Sequence, residues 1–124
     1  MEFRDNQAVY LQIVDYVCEQ ILMKNWKVDQ KILSIRDLAI ELQVTPNTVQ
    51  RSYDIIQQLD IISNQRGIGF FVEKDAIKKI LIYKKEEFVS KELPIFFKNL
   101  HLLKLDLKEI ESLYNNYIKS LSKK

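Results

Sequence analysis

Residues 34–59 read SIRDLAIELQVTPNTVQRSYDIIQQL, two helical patterns joined by a very short turn. Ser34 suits a helix N-cap, and Asp37 stands three residues on, where its carboxylate can answer the cap. Leu38, Ala39 and Leu42 supply the apolar face of a helix over 35–43. Thr45 can cap the next helix. Pro46 fits that helix's first position, since the N–H it lacks would be unpaired there anyway. Val49, Tyr53, Ile56 and Leu59 recur at helical spacing and predict a helix over 46–59, with Asn47, Thr48, Gln50, Arg51 and Asp54 on its other faces.

Upstream, Tyr10, Ile13, Val14, Val17 and Ile21 mark an amphipathic helix over 8–24, flanked by Leu11, Cys18 and Leu22. Cys18 reads as a small core residue, because no neighbour would activate its thiol. In the connector over 25–33, Trp26 and Val28 are expected to pack on the core and Lys31-Ile32-Leu33 to form a short strand. Downstream, Ile61-Ile62-Ser63 and Phe70-Phe71-Val72 flank the polar stretch 64–69, a β-hairpin pattern that must lean on the helices. Both glycines of the chain, Gly67 and Gly69, fall in this stretch, and there are only two prolines. A sheet-rich fold needs many more turn residues. The expected class is mainly α with a small β-hairpin. Three helices, the last two joined by a tight turn, followed by a hairpin, make a winged helix-turn-helix over 1–75. That design suits DNA: the third helix fits a major groove, and a glycine-bearing hairpin tip can approach a phosphate backbone closely.

The remaining residues, 76–124, change character. Ile77, Ile80, Leu81, Phe88 and Ile95 mark a long helix that Pro94 should kink or break near Leu93. Asp106 and Glu109 have capping-box spacing and open a final helix, in which Leu107, Ile110, Tyr114, Tyr117 and Leu121 form a seam. The seam is too short to hold a coiled coil alone. A C-terminal helical dimerisation hairpin is expected, with Ile77, Leu81, Phe88, Leu107, Ile110, Tyr114 and Tyr117 at the contact between two copies. The rival arrangement packs this segment on its own chain. The end, Ser122-Lys123-Lys124, is expected to fray.

The 124 residues are 47% hydrophobic and 29% charged, an ordinary globular balance. The net charge of +2 hides an asymmetry. Residues 1–75 hold 8 Lys and Arg against 11 Asp and Glu, whereas residues 76–124 hold 11 against 6. DNA binding by the first part must rest on the placement of a few basic groups rather than on bulk charge. One cysteine excludes an internal disulfide, and one histidine, His101, excludes paired-histidine metal sites. His101 reads as a surface or capping residue. No cofactor, metal ion or nucleophile–base set is expected, and Gly67-Ile68-Gly69 lacks the strand-to-helix setting of a nucleotide loop. The polar start, Met1-Glu2-Phe3-Arg4-Asp5, and the lack of any long apolar run point to a cytoplasmic protein with no membrane partner.

Four stretches carry a resemblance: Tyr10-Leu11-Gln12-Ile13, Ser34-Ile35-Arg36-Asp37-Leu38-Ala39, Thr45-Pro46-Asn47-Thr48-Val49-Gln50-Arg51-Ser52-Tyr53, and Arg66-Gly67-Ile68-Gly69-Phe70-Phe71-Val72. In order and spacing they resemble the DNA-binding domain of the GntR superfamily, and the Asn-Thr-Val-Gln-Arg-x-Tyr wording resembles its YtrA-like subfamily. The resemblance covers about residues 7 to 75. It implies a bacterial transcription regulator that binds double-stranded DNA, often a repressor and in its subfamily often one associated with transporter genes. The expected homodimer adds that two recognition helices across a two-fold axis would read a pseudo-palindromic operator. Carried over by motif position, Arg36, Thr45, Asn47, Thr48, Gln50 and Arg51 are the groove and phosphate contacts, and Arg66 and Gly67 the wing-tip contacts. Tyr53 reads as core packing rather than base stacking. Three turns depart from the pattern: Val28-Asp29 stands where the family has Pro-Gly, Leu33 where it has Pro, and Gln43 where it has Gly. A small-molecule effector has room but no defining cluster of side chains. The alternatives for Arg36 and Arg51 are ordinary solvated helix residues or ion pairs with the nearby Asp37 and Asp54. The alternative function is a winged helix that meets a protein partner without specific DNA binding.

Overall fold

The computed structural model describes residues 1–122, so Lys123 and Lys124, expected to fray, lie outside the described residues. The chain divides into two compact units, Met1–Lys84 and the residues from Lys85 on. The elements are α1 (Val9–Leu22), α2 (Ile35–Leu42), α3 (Pro46–Gln58), β1 (Ile62–Gln65), β2 (Gly69–Val72), α4 (Ala76–Glu87), α5 (Leu93–Leu103) and α6 (Leu107–Leu121). This is the expected winged helix-turn-helix followed by helices. No helix of the described residues is long and apolar enough to cross a membrane.

The first unit is organised around one core. Ile13, Val14, Val17, Cys18 and Ile21 of α1 meet Leu38 and Ala39 of α2, Val49, Tyr53 and Ile56 of α3, and Ile62 and Val72 of the hairpin. Tyr10, expected in the buried stripe, is only partly buried. Burial pushes the Cys18 thiol up to about 12, against a smaller opposing pull from the Lys84 ammonium. Ala76 and Ile80 of α4 are buried in the same core, so this unit runs past residue 75. Lys84 closes it with an ion pair to Asp15.

Helix ends explain how a chain with two glycines turns so often. At Lys24, Gln43, Asp60 and Lys104 the backbone is left-handed, with φ between 57 and 62°. Each follows a helix and closes the same pair of bonds. For α2, the Gln43 N–H donates to Ile40 O at 3.3 Å and the Val44 N–H to Ala39 O at 3.0 Å. Lys24 with Asn25, Asp60 with Ile61, and Lys104 with Leu105 repeat the pattern. These are Schellman caps, whose left-handed residue is usually glycine. The fifth left-handed residue, Asp29 (φ 64°), occupies the third place of a turn closed by the Gln30 N–H on Lys27 O. Left-handed backbone at that place alone defines a type II turn, the setting that Pro-Gly favours. It also corrects the expectation for Val28, which sits on the outside of the turn and is exposed rather than packed. Trp26 does pack, edge-on to Tyr16 at 6.3 Å.

The hairpin pairs Ile62 with Val72, Ser63 with Phe71, Asn64 with Phe70 and Gln65 with Gly69. It starts one residue later than expected because the Ile61 N–H is spent on the α3 cap. Of the expected strand Lys31-Ile32-Leu33, only Lys31 forms a bridge, to Phe71. The connector nevertheless stitches the free edge of β2: the Asp29 N–H donates to Val72 O and the Ile32 N–H to Phe70 O, both at 2.9 Å.

In the second unit a π-helical segment, Phe88–Glu92, separates α4 from α5. The backbone stays helical through Leu93, so Pro94 is accommodated by this π-helical stretch and no break occurs there. An α-helical path into Pro94 would drive its ring into the Ser90 carbonyl, and the wider π turns relieve that clash. Asp106 and Glu109 form the full capping box, with bonds of 2.9 and 3.0 Å. α6 buries none of its residues.

Candidate nucleic-acid interface

All eight residues carried over as DNA contacts lie in the first unit. α3 is held from beneath by two side chains. The buried Tyr53 hydroxyl donates to Leu33 O at 2.7 Å, and its ring meets Phe70 edge-on at 4.8 Å. Burial raises the Tyr53 phenol well above its ordinary range, so it stays a neutral donor. One helix side chain thus ties the connector and the wing to α3. Ser52 is equally buried, with its Oγ 2.7 Å from Tyr10 O and 3.1 Å from Thr48 O. Sequence reasoning missed Ser52, because a serine beside an apolar stripe looks like an exposed polar residue.

With Val49, Ser52, Tyr53 and Ile56 facing inward, Asn47, Gln50 and Arg51 are exposed and Thr48 is half-buried. Thr45 occupies the N-cap place, but its hydroxyl pairs with the Thr48 hydroxyl at 2.9 Å and caps no backbone N–H. That corrects the capping role expected of it. On α2, Ser34 Oγ accepts the Asp37 N–H at 3.0 Å, which is the cap without the reciprocal carboxylate bond. Arg36, in the first turn of α2, is exposed.

The suggested ion pairs do not form. Asp54 accepts from the Gln50 amide at 2.8 Å instead. Among the described residues, the side chains of Arg36, Arg51 and Arg66 take no hydrogen bond or ion pair. Arg51 lies over the Tyr10 ring at 3.7 Å from its centroid. A guanidinium presents five N–H donors in its plane, so stacking leaves that edge open to carboxylate, phosphate or a guanine edge. Arg66 and Gly67 form the tip of the wing, where the Ile68 N–H donates to Gln65 O at 2.9 Å. Gly67 has φ +78° at the third place of this turn, again type II, and a side chain added there would meet nothing within 4 Å.

Gln12 of the first motif is a further residue whose role was not legible. It is buried, and its amide donates to Arg4 O and Gln7 O, both at 2.7 Å, while its Oε1 accepts the Arg4 N–H at 2.8 Å. It fastens the N-terminal arm to α1.

The residues expected at a contact between copies are divided. Ile77 and Leu81 belong to the first unit, and Ile77 is half-buried against that unit's core. In the second, Phe88, Leu107, Tyr114 and Tyr117 are exposed and Ile110 is half-buried. Among the described residues no group of three or more His, Cys, Asp or Glu side chains is placed to hold a metal ion.

No protein-family model matches the chain. Over 109 residues it is 31% identical to the HTH-type transcriptional regulator YhcF of Bacillus subtilis, covering 88% of each chain. It is 27% identical over 119 residues to the HTH-type transcriptional repressor YtrA of the same species, covering 96% of this chain and 88% of that one. The crystal structure of a GntR-family transcriptional regulator from Bacteroides thetaiotaomicron superposes with a TM-score of 0.81 at 39% identity, over 92% of this chain and 99% of the other. These relatives are transcription regulators rather than enzymes. The four motifs, the winged fold and these likenesses agree: the chain belongs to the GntR family of HTH-type transcriptional regulators and is YtrA-like.

Proposed function

We propose that this DNA-binding regulator is a cytoplasmic repressor that reads a pseudo-palindromic operator as a homodimer, controlling transporter genes. α3 enters the major groove and presents Asn47, Thr48, Gln50 and Arg51 to base edges. Arg36 and Thr45 take flanking phosphates or a guanine edge, and Arg66 with the Gly67 backbone follows the phosphates at the wing. The observation that carries this reading is the exposed arginine set, whose side chains find no acceptor among the described residues. Unused donors on the surface of a unit with no net charge are what an anionic partner would complete. The repressor sign is supported by the likeness to the repressor YtrA.

Dimerisation is supported by the apolar faces of the later helices. Leu107 is 68% exposed, and Tyr114 and Tyr117 are 60% exposed each. A second copy would cover them, and two copies would double the few phosphates that one unit can neutralise.

Selection of bound duplexes from a random pool tests the function. Folded protein that enriches no sequence would refute it. On an enriched site, Arg51→Ala should weaken binding by about 1–3 kcal/mol and relax the preference at one position. Equal weakening on all sequences would make Arg51 a phosphate contact instead. Size-exclusion chromatography with light scattering tests the dimer, and a monomer at binding concentrations would remove it.

A further inference from the structure

We propose that Tyr10 is a positioning residue of the DNA-reading surface: its ring holds the Arg51 guanidinium flat, leaving the N–H edge free for an acceptor on the nucleic acid. The inference rests on Arg51 being a DNA contact. Its observations lie in the free protein.

The guanidinium carbon sits 3.7 Å above the centroid of the Tyr10 ring, a stacking distance. The neighbouring backbone fixes that approach, since Ser52, the next residue along α3, places its Oγ 2.7 Å from the Tyr10 carbonyl. The first turn of α1 is thereby latched to α3 at two consecutive positions, one polar and buried, the other stacked and exposed. Asp54, the nearest acid along α3, is occupied by Gln50 and does not draw Arg51 away from the ring. A free arginine samples many rotamers, all but one of which are lost on binding. A stacked arginine has given up much of that freedom before DNA arrives, and this preorganisation appears as affinity. The ring face satisfies the weakly hydrated guanidinium face without consuming any donor.

The test uses the full chain and a duplex carrying the selected site. Exposed stacking of this kind corresponds to about a 2- to 5-fold change in affinity. Tyr10→Leu should weaken binding by that factor, and Tyr10→Phe, which keeps the ring, should bind like the parent. In an Arg51→Ala background, Tyr10→Leu should cost nothing further. The ring should also move the Arg51 side-chain proton resonances upfield in the parent and in Tyr10→Phe, but not in Tyr10→Leu. This readout stands even if Tyr10→Leu lowers the melting temperature. Three results would overturn the proposal: Tyr10→Leu silent while Arg51→Ala is costly, the same loss from Tyr10→Leu with and without Arg51, or Tyr10→Phe as weak as Tyr10→Leu. A silent Arg51→Ala would instead remove Arg51 from the interface, and the role of Tyr10 with it.

Discussion

Replacing Gln43 with glycine should stabilise the first unit. Gln43 is held at φ 58° and ψ 47° by the Schellman cap of α2, is exposed, and makes no side-chain hydrogen bond. A left-handed backbone costs a residue with a Cβ about 1–2 kcal/mol, and glycine avoids that cost. Glycine also frees the unfolded chain, which returns about 0.4–1 kcal/mol. The expected net gain is about 0.5–1 kcal/mol, or about 2–8 °C in melting temperature for a unit of this size. Thermal melts followed by circular dichroism would measure it. The control is Glu19→Gly in the interior of α1, where the same residue type should cost about 1 kcal/mol. The opposite signs separate relief of strain from any general effect of glycine. Gln43→Gly that leaves the melting temperature unchanged, or lowers it, would refute the claim that the cap stores strain.

Three further outcomes are expected. Tyr53→Phe leaves the Leu33 carbonyl without its donor and should cost about 1–3 kcal/mol in urea unfolding; a change below about 0.5 kcal/mol would mean the bond is not needed. Burial raises the Cys18 thiol to about 12 from 9.0, so its contribution to stability is complete below about pH 9 and is lost as pH rises towards 12, where the unfolded thiol ionises first. Stability measured across that window should fall less steeply in Cys18→Ala, and an unchanged slope would exclude the thiol as a cause. At Gly67, with φ +78° and open space around it, Gly67→Asn should keep the hairpin folded while Gly67→Val strains it; equal melting temperatures would show that the turn does not require glycine.

Periodicity located α1 and α3 because their buried stripes really are continuous, as Ile13, Val17 and Ile21 show in α1 and Val49, Tyr53 and Ile56 in α3. The Asp106–Glu109 capping box was legible because both partners announce themselves by residue type and spacing. Thr45 carried the same type of signal and misled, since the nearby Thr48 hydroxyl offered its side chain a competing partner. The caps at Lys24, Asp60 and Lys104 carry no glycine to mark them. The available hint was an apolar residue just past the turn, Ile61 or Leu105, which is a weak signal alone. In the candidate interface, the motifs placed Arg51 and Asn47 on the open face of α3. The partners Tyr10, Ser52 and Gln12 were not legible as such, because their bonds cross between segments far apart in sequence or reach backbone atoms. Pro94 announced a kink or break, but that the helix would instead continue through a π-helical stretch depends on carbonyl geometry that residue types do not encode.

The exposed face of α3 has a consequence for specificity. Its inward side, Val49, Ser52, Tyr53 and Ile56, is committed to the core and to the connector and wing, so those positions can change only at a cost to folding. Asn47 is exposed and lies outside the core, and exchanges at such surface positions usually alter stability by no more than about 0.5 kcal/mol. Under the proposed reading, a change of operator would need exchanges only at the exposed positions and would leave the inward side of α3 as it is.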